Sequence, residues 1–196
     1  MTEEKVTLAL NEEEKKKGPT SYKVRITGYA LFLVLLLMAF SLGFHMHLPE
    51  DKAHELYSMY KQHVDSMLYN VSGVDDLSYR IFFNNGRLLI VCAAPIFGSL
   101  AALYTVYMTG MTLKAIEIVE APQENVFLNM IKEPVMWLEL IAISLVSIES
   151  IIVSVAMLKG KLGEEIGIYL ATLMLAGSIL LFSASLEAVE ILGGSV

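Results

Sequence analysis

Apolar positions in this chain gather into four long runs, 26–44, 88–113, 134–158 and 166–186, separated by polar segments of unequal length. The second run carries no charge from end to end. Lipid offers no partner to an unpaired peptide group, so a crossing segment is helical and needs about 20 mainly apolar residues to traverse roughly 30 Å of hydrocarbon. Each run meets that length. The pattern predicts an all-α membrane protein with four transmembrane helices plus an external amphipathic helix.

That extra helix is read from the longest polar segment, residues 45–85. From Pro49, the apolar positions Leu56, Tyr60, Val64, Met67 and Leu68 recur three and four residues apart, while Asp51, Glu55, Lys61 and Asp65 lie mostly elsewhere. This is the spacing of one helix with an apolar stripe, ending near Asn70 to Gly73. The connection 114–133 contains a break at Ala121 and Pro122 between two helical pieces. Runs three and four are joined by only a few residues around Gly160 to Gly163, which predicts an antiparallel hairpin.

Residues 1–23 mix Glu12, Glu13 and Glu14 with Lys15, Lys16 and Lys17 and hold the breakers Gly18 and Pro19, so they read as a flexible charged arm. The first run is read as a retained anchor, because so long and acidic a leader does not suit a signal peptide. Six of the 14 Lys and Arg occur at or before Arg25, which by the positive-inside tendency places the N-terminus in the cytoplasm. Four crossings then return residues 193–196, a short tail, to the same side of the cell membrane. The domain reading is one bundle, 24–192, with the loop 45–85 outside.

Composition narrows the classes. The chain has 196 residues, 55% hydrophobic and 18% charged, and a net charge of -7, with a mean hydropathy of +0.58. No polar stretch is large enough for a separate soluble domain. Basic residues form no continuous face, which argues against nucleic acid as a partner. Cys92, the single cysteine, lies inside the second run and reads as a small buried apolar residue. Asn70, Val71 and Ser72 form a glycosylation triplet, of a kind that recurs by chance.

Helices in lipid associate through close backbone approach, so small residues four apart mark contact faces. Ala94, Gly98, Ala102 and Gly110 form one such ridge on the second run, and Gly163, Gly167 and Ala171 a second at the start of the fourth. Pro95, inside the second run, removes a backbone hydrogen bond and predicts a bend.

Candidate chemistry centres on charges within the runs. Glu139 and Glu149 share the third run, and ten residues at about 100° each leave them roughly 80° apart, able to look to one side. Intramembrane carboxylates are costly and face protein or water. Ser147, Ser150 and Ser154 lie near Glu149. Asn84, Asn85 and Arg87 crowd the start of the second run behind Phe82 and Phe83, an aromatic anchor; Arg87 either snorkels to lipid phosphate or folds inward toward Glu149. His45, His47, His54 and His63 fall within 19 residues and are the only weak metal candidates, since one helix cannot gather His54 and His63 together. Ser58 stands where a zinc protease needs its second histidine. No histidine lies within a run to activate Ser178, and Asp51, Asp65, Asp75 and Asp76 all lie outside the runs, so intramembrane proteolysis is not expected. No cofactor is expected.

The run Phe83, Asn84, Asn85, Gly86, Arg87, followed by an apolar span with Gly98 and Gly110, and then Pro134, Glu139 and Ala142, resembles the stage II sporulation protein M family over about residues 80–192. Val135 and Met136 stand where that family often has histidine and glycine, and Thr109 where it has asparagine. The resemblance implies an α-helical membrane protein acting in a complex, in spore formers with machinery that remodels the cell wall, and it does not imply an enzyme. The expectation is a non-enzymatic scaffold or complex subunit linked to envelope remodelling, with lipid, other membrane proteins and further copies of itself as partners. The alternative is a small oligomeric transporter or channel component that couples ions or protons through Glu149.

Overall fold

The structure is a computed structural model that describes residues 18–122 and 125–193. Among these are seven helices and no strands: α1 (Tyr22–His45), α2 (Glu50–Leu68), α3 (Val74–Ala93), α4 (Gly98–Glu120), α5 (Val126–Lys132), α6 (Pro134–Leu158) and α7 (Leu162–Gly193). Most of the flexible arm read from the sequence, and the last residues of the tail, lie outside the described residues. Residues 22–23, assigned to that arm, are already in α1.

Three helices, α1, α6 and α7, are long and apolar enough to cross a membrane, not four. The second run is two helices. Pro95 lacks an N–H and steers Ala94 away from helical geometry, so the chain stops instead of bending, and Ile96 takes the left-handed region at φ 74°. The backbone groups released here are satisfied by side chains. The Ser150 hydroxyl donates to the Ala94 carbonyl at 2.6 Å, the Ile96 N–H donates to Ser154 Oγ at 2.6 Å, and the Tyr169 hydroxyl donates to the Ala93 carbonyl at 2.8 Å. Non-helical backbone of this kind is tolerable in an apolar setting only where protein covers it. What the sequence presents as an uninterrupted apolar span is a capped break.

The break changes the path of the chain. Tyr57 on α2 donates to Glu120 at the end of α4, 2.7 Å away, which joins two connections that a four-crossing path puts on opposite faces. Thr20 contacts Glu165 at the start of α7, whereas Leu192 near its end packs on the Leu77 and Ile81 cluster of α3. Since α7 is 32 residues long, or about 48 Å at the helical rise, the two ends of the described chain sit at opposite ends of the bundle. Residues 88–113 therefore contain a reversal of the chain at the break between α3 and α4.

Other expectations hold. The amphipathic helix appears as α2 with Pro49 as its N-cap, though helix resumes already at Val74. The connection after α4 breaks at Ala121, in left-handed geometry, and resumes at Asn125, whose side chain accepts the Leu128 N–H at 3.0 Å and so caps α5. The α6–α7 hairpin forms as expected. The most buried spanning helix is α6, flanked by α1, α3 and α7.

Of the two small-residue ridges, one is used. Gly98 and Ala102 are buried and Ala94 is half-buried. At the α1–α4 crossing a Cβ on Gly110 would collide with the Phe40 carbonyl, and one on Gly43 with the Tyr107 carbonyl, so the two backbones meet directly. Gly163 and Gly167, by contrast, are exposed and have open space around them. Among the described residues nothing packs against these two glycines of the second ridge.

Candidate functional site

Two polar regions occupy opposite ends of α6. The first surrounds Glu149, which is 0% exposed. Its partner is Arg25, not Arg87: the Arg25 guanidinium bonds Glu149 with one amine and Glu165 with the other, and its Nε donates to the Thr20 carbonyl at 3.2 Å. Tyr29, one turn along α1 from Arg25, donates its hydroxyl to Glu149 at 2.5 Å. Thr20 donates to Glu165 twice, from its N–H at 2.6 Å and its hydroxyl at 2.7 Å. Two carboxylates thus share one guanidinium, and the excess negative charge is held by a hydroxyl pair and a backbone N–H. A buried charge is tolerable when paired and fully hydrogen-bonded in this way.

In the sequence Arg25 counts only among the six basic residues at the N-terminal side of the first run. It is 1% exposed and ties α1, α6 and α7 together. Nothing local in the sequence marks this role, since a basic residue one step ahead of an apolar run is also the pattern of a surface cation. Arg87 is exposed and forms no ion pair among the described residues. Of the serines near Glu149, Ser150 and Ser154 serve the break after α3, and Ser147 is fully buried with its hydroxyl unpaired.

The second region is a cavity of about 500 Å³ between α3, α4, α6 and α7. Asn85 donates to Glu139 across it at 2.5 Å, and Asn84 lies alongside. Glu139 and Glu149 therefore look into different sites, each recruited by different neighbours. Glu133 enters from the start of α6, and Glu187 and Glu190 from α7, three apart on one helix face. Thr105 and Thr109 of α4 supply hydroxyls. The floor is apolar, with Phe40, Val106, Met136 and Leu140, and Tyr60 and Met67 bring α2 over the rim. Among the described residues no Lys or Arg lines it. Glu187 and Glu190 escape the sequence reading because the fourth run ends at 186, one residue before Glu187 and four before Glu190.

The four histidines stay apart from both regions. His45 makes a 2.8 Å contact from its Nδ1 to the Ser41 carbonyl and packs edge-on to Phe44 and Phe127. His47, His54 and His63 are exposed. Among the described residues no three His, Cys, Asp or Glu side chains come together in a group able to hold a metal.

Comparison with protein families, with characterised proteins and with solved structures finds no match.

Proposed function

We propose that this protein is a non-enzymatic membrane scaffold, a subunit of a membrane complex and a divergent relative of the stage II sporulation protein M family. The observation that carries the scaffold reading is the occupation of Glu149. A carboxylate that relays ions or protons needs room to exchange partners, and this one is clamped by Arg25 and Tyr29 on the neighbouring helix. Its work is to staple helices. Support for the family reading comes from the motif residues Asn84, Asn85 and Glu139, distant in sequence and gathered at one cavity, with Val135, Met136 and Thr109 around it.

On this reading the charged N-terminal arm lies on the cytoplasmic face of the cell membrane, and partners dock on the bundle flank, on α2 or on the arm. Extraction in a mild detergent followed by identification of co-purifying proteins is the test. A reproducible membrane-protein partner, together with no ion flux in proteoliposomes, is the expected result. Flux that is lost in Glu149→Gln would replace the scaffold by the transport reading.

A further inference from the structure

We infer that the cavity between α3, α4, α6 and α7 is a binding site for an organic cation, a primary amine carried on an apolar body. The argument begins with charge. Four carboxylates, Glu133, Glu139, Glu187 and Glu190, line one concave space, and among the described residues no basic side chain lines it with them. Among the described residues none of the four enters an ion pair. At the other end of α6, two carboxylates required a guanidinium, a tyrosine and a backbone N–H to be held away from water. Here Glu190 is exposed and Glu133, Glu139 and Glu187 are half-buried, no described residue supplies a counter-charge, and the net negative charge of the space favours a cation from solution.

Geometry then selects the kind of cation. A cavity of about 500 Å³ lies within the 300–1,000 Å³ range of small-molecule clefts and is far larger than a bare ion. The absence of a three-ligand metal group among the described residues points the same way. The polar rim is a set of acceptors: carboxylate oxygens, the asparagine amides and the threonine hydroxyls of α4. Such a rim suits a head that donates several N–H bonds, as a primary ammonium does. A quaternary ammonium instead favours a cage of aromatic faces, and the lining contains only Phe40 and Tyr60. The apolar floor of valine, leucine and methionine takes the body of the molecule, and methionine adapts to bodies of different shape.

The experiment uses the full chain in lipid nanodiscs, with empty nanodiscs as the blank, and three indole probes of similar size and different charge. Tryptamine carries the ammonium, tryptophol replaces it with a hydroxyl, and indole-3-acetate is anionic. Saturable binding of tryptamine, weaker by about tenfold or more for tryptophol and absent for indole-3-acetate, is expected; tenfold corresponds to 1.4 kcal/mol. Glu139→Gln with Glu187→Gln should weaken tryptamine binding by a similar factor. Thr105→Trp, which fills the space and leaves every carboxylate in place, should abolish it, and this second variant decides the matter where the first fails to fold. No saturable tryptamine binding by the folded protein, equal binding of tryptophol, or unchanged binding in the folded variants would overturn the assignment.

Discussion

Ten residues separate Glu149 from Glu139 on the same helix, and the two carboxylates have opposite circumstances. Glu149 is 0% exposed and its oxygens are taken by Arg25 and Tyr29. Glu139 meets one amide across an open cavity, with Glu187 and Glu190 facing the same space. The difference teaches that a carboxylate within a long apolar helix is not informative by itself. What decides its role is whether the chain supplies its own counter-charge: where it does, the group becomes part of the frame, and where it does not, the group is left to interact with something else.

The sharpest way to break the contrast is at Arg25. Removing one member of a buried ionic group leaves the others uncompensated, which costs about 3–5 kcal/mol. Arg25→Met should therefore lose about that much stability in a denaturant titration of the detergent-solubilised protein. Replacing Arg25, Glu149 and Glu165 together by apolar residues of similar volume should recover most of the loss. Recovery would separate the cost of the unpaired charges from the worth of the network.

Next in size is the break after α3, which is held by serines from the Glu149 end of α6. Ser154→Ala leaves the Ile96 N–H without its partner, at a cost of about 1–3 kcal/mol where that group stays dry; after Ser150→Ala the Ala94 carbonyl keeps the Gly98 N–H at 2.8 Å, and the loss should be smaller. A thermal melt of each variant measures it, and a loss near zero in both would mean that water reaches the break. Glu139→Gln tests the cavity from the stability side. It should change stability by less than about 1 kcal/mol, in the range of changes away from packed or paired sites, in contrast with Arg25→Met. A loss as large as that of Arg25→Met would remove the distinction between the two regions.

The smallest effect is at the α2–α3 corner. The Ser72 N–H, at 3.0 Å, and the Arg80 guanidinium hold Asp76 below the usual carboxylate range. A carboxylate depressed in the folded state contributes stability above its unfolded pKa, and loses it as pH falls through the folded value. The corner should therefore loosen only at pH below about 4, seen as faster amide exchange at the start of α3 in the parent protein than at pH 6 after correction for intrinsic rates. Asp76→Asn should show no such acid step.

Much of the architecture is legible in the sequence, because long apolar runs and a three-and-four spacing report local geometry directly. The α6–α7 hairpin, the stripe of α2 and the stop before Asn125 follow from patterns a few residues wide. The break at Ala94 to Phe97 shows the limit. Hydropathy counts carbon, whereas the stop depends on Pro95 and on hydroxyls from Ser150, Ser154 and Tyr169, which are remote in sequence. The site divides similarly. Asn85 and Glu139 were readable as intramembrane polar groups, and the pairing of Glu149 with Arg25 was not, since nothing local distinguishes a cation that flanks a span from one that is drawn inside it.

The capped break also bears on the order in which the molecule can be assembled during synthesis. The side chains that satisfy Ala94, Ile96 and Ala93 follow them in the chain by 56, 58 and 76 residues, and the carboxylates that neutralise Arg25 follow it by 124 and 140. At the moment α1 and the α3–α4 corner emerge from the ribosome, their partners do not yet exist. The early part of the nascent chain must wait at a wet interface, or in the care of the insertion machinery, until α6 and α7 arrive to close it.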